Sequence, residues 1–293
     1  ARNFARNKIS TSSVYDLGDT DNDQVYKGLV TTSQAPKCHQ AVSETKDQYL
    51  YYYDEDAGKN VMATDLFYSS SNAGYIDIPN HYWSANRKLK PYDVIKKDPY
   101  DAKVSPTRET LLFPTTVSGS NFNANAAKLV KKLVLSKAKA EAGSDVTSVN
   151  DITITGFSGL TGKTVPERHT RGGCTCPFFT DGTLKVKVKI PINGKQTAKT
   201  YSVTLTFADL LKGGSYPVFT QRSSTYEFYA IEKTDDGYNL VHGRGGHGIG
   251  LSQYGAKQMA AEGKKCAAIL DFYFPNTELT TSATTRPSLP TMP

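Results

Sequence analysis

An α+β fold, with mixed helices, an antiparallel-rich sheet and a core domain interrupted by an inserted α+β module, is predicted by three observations. Asn123–Ala142 places Ala126, Leu129, Val130, Leu133, Val134 and Ala138 at three-to-four spacing, the period of an amphipathic helix. Thr183–Ile190 alternates lysines with Leu184, Val186, Val188 and Ile190, the period of a strand with one buried face. Asn193-Gly194 then separates this strand from a second one at Lys199–Thr206, which marks a hairpin. With 293 residues and 38% hydrophobic content, the chain can bury a proper core.

The remaining elements follow in order. Ala1–Lys8 reads as a helix that opens with no capping residue. Asp16–Asp23 is a polar, aspartate-rich loop without the glycine and terminal glutamate of an EF-hand, which excludes that kind of calcium site. A helix starts over Pro36–Glu44, Tyr49–Tyr53 is an aromatic strand, and Val61–Ser69 is a strand ending in the triple serine Ser69-Ser70-Ser71. Those serines, Asn72 and Gly74 form a small polar turn that can approach a ligand closely. Asn80–Trp83 supplies an imidazole (His81), a phenol (Tyr82) and the only indole.

Further strands fall at Asp151–Phe157 and Thr225–Ile231, and a short helix at Phe207–Leu211. Tyr238 to Val241 is a strand, Ala256–Gly263 is helix-like, and Asp271 sits in a core helix beside the C-terminal aromatics. Glu167–Cys176 is loop-like and carries no assignment. The tail from Thr280 is rich in Ser, Thr and Pro, as flexible ends are.

Charge and cysteines narrow the function. A net charge of +7 favours adhesion to anionic walls or membranes. The lysines are dispersed and no dense arginine tract occurs, which speaks against nucleic acid. No apolar run is long enough to span a membrane. The one-residue spacing of Cys174 and Cys176 is too tight for a zinc knuckle, and a site built on Cys38 and His39 lacks the second cysteine and histidine nearby, so no metal is expected, nor a cofactor. A disulfide using Cys174 and inert thiols, with Cys38 and Cys266 included, are both open readings.

The most informative tract is His242-Gly243-Arg244-Gly245-Gly246-His247-Gly248-Ile249-Gly250-Leu251-Ser252-Gln253-Tyr254-Gly255-Ala256. No lysine lies in it, which excludes a P-loop, and too little chain follows for a dinucleotide-binding βαβ unit. His247, Ser252, Gln253 and Tyr254 offer an imidazole, a hydroxyl, an amide and a phenol, none permanently charged at neutral pH. Such a set suits a hydroxyl-rich, neutral ligand such as a glycan. A glycine-rich turn that merely packs is the alternative.

Gly245 to Ala256 resembles the signature of the stage II sporulation protein D / amidase-enhancer family. Ala1-Arg2-Asn3-Phe4-Ala5 resembles the end of that family's Ala-Ala-Arg-Thr-Tyr helix, and Asp19 to Gly28 its aspartate-rich segment. Ala41 to Thr45, Phe67 to Gly74, Tyr82-Trp83, Pro91-Tyr92, Ala260 to Gly263 and Ile269 to Pro275 continue the match in order. The resemblance spans about 1–95 and 225–278. It suggests a family core over 1–105 and 225–279, an inserted module over 106–224 and a flexible tail over 280–293.

What the resemblance implies is lytic transglycosylase work on peptidoglycan glycan strands stripped of stem peptides, leaving 1,6-anhydro-muramic acid ends. The family's acid/base glutamate would fall upstream of Ala1, on a helix that the chain enters midway. On this reading His247, Ser252 and Gln253 are catalytic, orienting the sugar and the acid. Arg2, Ser69, Ser70, Ser71, Trp83, Gly246, Gly248 and Tyr254 bind substrate; Arg2 alternatively makes a plain structural salt bridge. Glu44 and Asp271 are candidates for surface or capping roles rather than catalysis. The implied setting is extracytoplasmic, at the wall or held to a membrane by a segment absent from this chain, with a peptidoglycan amidase as partner. A non-catalytic, wall-binding amidase-enhancer module is the alternative.

Overall fold

The chain folds as an α+β protein in a computed structural model that describes residues 2–9, 30–81, 83, 87–164, 179–220 and 229–281. The aspartate-rich loop at 16–23, Tyr82, the Glu167–Cys176 segment, Thr225 and the tail beyond 281 lie outside the described residues.

Among the described residues, three α-helices and six strands lead to the long central helix: α1 (Arg2–Lys8), α2 (Pro36–Glu44), β1 (Tyr49–Asp54), β2 (Lys59–Met62), β3 (Tyr68–Ser69), β4 (Tyr75–Ile76), β5 (Lys96–Lys97), α3 (Pro99–Val104) and β6 (Glu109–Pro114). The expected strand over Val61–Ser69 is instead two pieces. The chain leaves β2 after Met62 and re-enters strand pairing at Tyr68 with a different partner. Positive φ at Asp65 (55°) marks the break, which no extended run tolerates.

The middle segment holds α4 (Ala124–Ala142) over the antiparallel sheet β7-β8-β9 (Thr153–Thr164, Phe179–Ile192, Lys195–Thr206). Asn123 caps α4 by accepting from the backbone N–H groups of Asn125 (2.9 Å) and Ala126 (3.2 Å). The apolar stripe of α4 (Leu129, Val130, Val134, Ala138) covers Leu184, Val186, Val188 and Ile190 of β8, all four fully buried. Asn193 and Gly194 both take positive φ (51° and 73°) and join β8 to β9 in a two-residue hairpin, as their residue types require. The same core continues into the sheet β10-β11-β6 (β10 Tyr229–Lys233, β11 Gly237–His242) through Leu111, Phe113, Tyr229 and Leu240.

A second core lies between β1, β2 and the last helices, α5 (Gln253–Ala261) and α6 (Cys266–Tyr273); Leu50, Tyr52, Ile76, Tyr92, Met259, Tyr273 and Phe274 fill it. Strand β12 (Leu251–Ser252) pairs in parallel with β3, and β13 (Glu278–Thr280) pairs with β1. Asp271 is exposed on α6 rather than in the core, because Tyr273 occupies the buried face of that short helix. Cys38 and Cys266 are free and exposed; Cys174 and Cys176 lie outside the described residues. Among the described residues no helix is long and apolar enough to cross a membrane.

Leu184→Ala should lower unfolding stability by about 2–5 kcal/mol, the range for a buried leucine whose site collapses only partly. Lys187→Ala, on the wet face of the same strand, should change it by less than about 0.5 kcal/mol. Urea denaturation measures both, and a similar loss at the two positions would contradict the assignment of faces.

Candidate functional site

Two polar segments, 67–77 and 245–254, are zipped together by backbone hydrogen bonds. Leu251 N–H donates to the Phe67 carbonyl (3.0 Å), Tyr254 N–H to Ser70 (3.1 Å) and Asp77 N–H to Gly248 (3.0 Å). Ser71 and Gly245 exchange N–H···O bonds of 3.2 and 2.9 Å. The glycines make this close approach possible. Gly246 has φ +109°, and a Cβ there would stand 3.0 Å from the Ser69 Cβ. At Gly248 (φ +70°) a Cβ would stand 2.6 Å from Arg244 Nε.

Arg244 sits beneath this turn in a fully buried ion pair with Asp77 (3.2 Å). It also donates to the carbonyls of His247 (3.1 Å) and Tyr75 (3.3 Å). The other Asp77 oxygen accepts from Ile78 N–H (2.8 Å) and meets His81 Nδ1 at 2.5 Å. Burial pushes the Asp77 carboxyl up, but the His81 hydrogen bond and the Arg244 charge outweigh it and hold it below its ordinary value.

His247 is locked by backbone. Its Nδ1 accepts from Ile249 N–H (3.0 Å), and the nearby Tyr68 backbone favours the protonated ring only weakly. Trp83 packs edge-on at 5.1 Å between ring centres, with Phe67 at 6.1 Å. Burial and the nearby Arg244 charge lower its pKa from 6.5 to about 4, so the ring is neutral at pH 7.

Beside this turn lies a buried network around two carboxylates. Asp98 caps α3, accepting from Tyr100 (3.1 Å) and Asp101 (3.0 Å) N–H groups. It also accepts from Asn72 Nδ2 (2.9 Å) and the Tyr273 hydroxyl (2.7 Å). Asp101 accepts from the Ser252 hydroxyl (2.6 Å), the Ser71 hydroxyl (2.9 Å) and Gly74 N–H (3.0 Å). Ser252 Oγ in turn accepts from Gly255 N–H and caps α5, which is why that helix begins at Gln253, ahead of the expected Ala256. Burial raises the Asp101 pKa, with the Ser252 and Ser71 hydroxyls pulling the other way and the Asp98 charge adding to the rise.

An open groove of about 680 Å³ runs between α1, α2, β1, β12 and α6. Its polar lining includes Arg2, Asn3, Tyr68 and Gln253; Leu50, Leu66, Leu251, Leu270 and Phe274 supply apolar wall. Arg2 spans from α1 to the C-terminal end of α2, donating to the carbonyls of Thr45 and Val42 (2.7 Å for the latter), where the helix dipole favours a cation. Asn3 is buried and bridges Leu50 and Ala63, donating to both carbonyls at 2.9 Å.

Of the sequence-predicted residues, Arg2 and Gln253 therefore meet at one groove. His247 and Trp83 pack against each other, and Tyr68 lines the groove. Ser70 and Gly246 are exposed, as are Trp83 (42%) and Tyr254 (36%). Ser71 and Ser252 are fully buried in the aspartate network, and Ser69 and Gly248 are buried as well. Glu44 and Asp271 lie on exposed helix faces, and no carboxylate lines the groove among the described residues.

Asn3, Asp77, Asp98, Asp101 and Arg244 carry the architecture of the site without having been singled out by sequence. Asp98-Pro99 does bear a helix-start signal, a capping residue followed by proline, that could have located α3. Asp77 bears none.

The first 52 residues match the family model described as Stage II sporulation protein. The curated protein named Amidase enhancer from Bacillus subtilis (strain 168) is 30% identical over 298 aligned positions. That alignment covers 96% of this chain and 37% of the relative, so the chain spans little more than a third of that protein.

Asp101→Ala should remove about 1–3 kcal/mol of stability, because the Ser252 and Ser71 hydroxyls and Gly74 N–H each lose an acceptor while Ser70 O, Ser105 Oγ and Asn72 Oδ1 stay within reach. A urea-midpoint change within error would show the network to be dispensable. Between pH 6.5 and about 4 the unfolded chain holds a proton on His247 that the folded chain rejects. Stability should therefore fall as pH falls through that window, by up to roughly 3 kcal/mol. His247→Gln should flatten this part of the stability profile; an identical profile would contradict the neutral, backbone-locked ring.

Proposed function

Because the chain belongs to the stage II sporulation protein D / amidase-enhancer family, we propose that it acts on the glycan strands of peptidoglycan as a lytic transglycosylase domain. The observation that carries this reading is the groove beside α1, whose volume of about 680 Å³ suits several sugar units and whose polar groups are uncharged apart from Arg2. The setting is extracytoplasmic, in sporulation or wall remodelling, and a peptidoglycan amidase is the working partner, since stem peptides must come off first.

The chemistry needs a proton for the leaving oxygen and shelter for an oxocarbenium-like centre. One carboxylic acid suffices when the sugar's own 6-hydroxyl is the nucleophile, and this reading draws that acid from a residue preceding Ala1 on the helix continued by α1. Gln253 and Arg2 bind sugar hydroxyls in the groove, with the Tyr68 phenol beside them. Trp83, Tyr254, Ser70 and Gly246 extend the contact surface on the exposed rim, where aromatic faces suit sugar rings. His247, Ser252, Ser69, Ser71 and Gly248 act as positioning residues that fix Tyr68 and the start of α5. The stretches 1–105 and 225–279 form the working core, with 106–224 as its insert and 280–293 as a tail.

A second reading has its own support. No carboxylate lines the groove among the described residues, as suits a module that binds glycan and enhances an amidase without cutting. Digestion of amidase-treated glycan strands by a chain extended through the residues preceding Ala1, with mass detection of anhydro ends, separates the two. Anhydro-muramic products are expected. Their absence alongside retained strand binding would leave the enhancer role and remove the catalytic one. Gln253→Ala should lower turnover at least about tenfold with stability unchanged, as loss of an orienting hydrogen bond does; wild-type turnover would remove Gln253 from the site.

A further inference from the structure

The exposed face of the β7-β8-β9 sheet carries a lysine column that the groove does not use. Lys185, Lys187 and Lys189 project outward from β8, each exposed, while the residues between them are buried under α4. Successive members stand about 6.8 Å apart along the strand. The residues in register beside them are small: Thr153, Gly156 and Gly159 on β7, and Ala198, Thr200 and Ser202 on β9. Lys185 lies along Gly159, its Cδ 3.3 Å from where a Cβ would stand, so the glycine leaves a furrow in which the lysine stem rests.

Two further facts make this more than an ordinary solvated face. Lys88, Lys103 and Lys199 each pair with a carboxylate, whereas none of the three column lysines has an ion pair among the described residues. No carboxylate stands in register beside any of the three. The flanking hydroxyls of Thr153, Thr200 and Ser202 offer donors on either side of the column. No aromatic residue stands in register beside these lysines, and Phe157 and Tyr201 point into the core.

We infer that this sheet face binds a linear polyol phosphodiester chain laid along β8, one phosphate per lysine with hydroxyl contacts to either side. Unpaired ammonium groups at a regular short interval complement a polymer with one charge per repeat. Among the described residues no aromatic ring stands in register with the column for bases to stack on, which argues for polyol phosphate over single-stranded nucleic acid.

The test uses the whole chain and three probes of matched charge: a glycerol phosphate oligomer, a single-stranded DNA oligonucleotide and polyglutamate. The glycerol phosphate oligomer should bind with an affinity that falls steeply with salt. Lys185→Gln/Lys187→Gln/Lys189→Gln should weaken it at least about tenfold and flatten the log–log salt slope by roughly two, as loss of three phosphate contacts does. A matched charge loss on α4, Lys128→Gln/Lys131→Gln/Lys132→Gln, should weaken it less than about threefold. Equal losses in both triple variants, binding of DNA or polyglutamate as tight as that of glycerol phosphate, or no binding would each overturn the inference. Urea midpoints confirm folding; if the triple variant unfolds, Lys187→Gln alone should cost about threefold and no loss would count against the site.

Discussion

The carboxylates of Asp98 and Asp101 are the constraint around which the signature segments arrange themselves. Both are fully buried, and between them they accept hydrogen bonds from Asn72, Ser71, Gly74, Ser252 and Tyr273. Those donors come from the serine turn, the glycine-rich tract and the last helix, three stretches far apart in the chain. Buried charge is tolerable only when its lone pairs are fully met, so each donor must arrive in one geometry. The polar residues of the signature thus have two duties: Ser71 and Ser252 build the frame, and Gln253, next in sequence, is left facing the groove.

A second buried charge, Arg244 against Asp77, supports the glycine-rich turn from below. A buried pair of this kind adds little net stability, but removal of either partner strands the other, at a cost of about 3–5 kcal/mol. Arg244 explains why Gly248 carries no side chain and, second to burial, helps keep His247 neutral. The Arg244–Asp77 pair also couples the turn to His81, and His247 packs on Trp83, so the turn and the Trp83 neighbourhood are held by one set of contacts.

Much of this was legible in the sequence where a local rule decides. The period of α4, the alternation of β8 and the Asn193-Gly194 hairpin each follow from a few neighbouring residues, and the fold has them. The break at Asp65 was not legible, because β3 pairs with β12, a strand some 180 residues away, rather than continuing β2. The same holds at the site. Arg2 and Gln253 were expected near a ligand and line the groove, whereas the burial of Ser71 and Ser252 depends on Asp98 and Asp101, whose position opposite them is a tertiary fact. Residue type told what chemistry was available; only the packing told which hydroxyls were already spoken for.

The surface joining the groove to the rim around Trp83 is proposed to receive a glycan strand. Trp83 is the only tryptophan in the chain and is 42% exposed, so its fluorescence reports that surface without interference. Titration with peptide-free glycan strands should give a saturable change in emission that Gln253→Ala weakens. Strands that leave the emission unchanged at every concentration, while sedimenting with the protein no more than an unrelated control does, would contradict it.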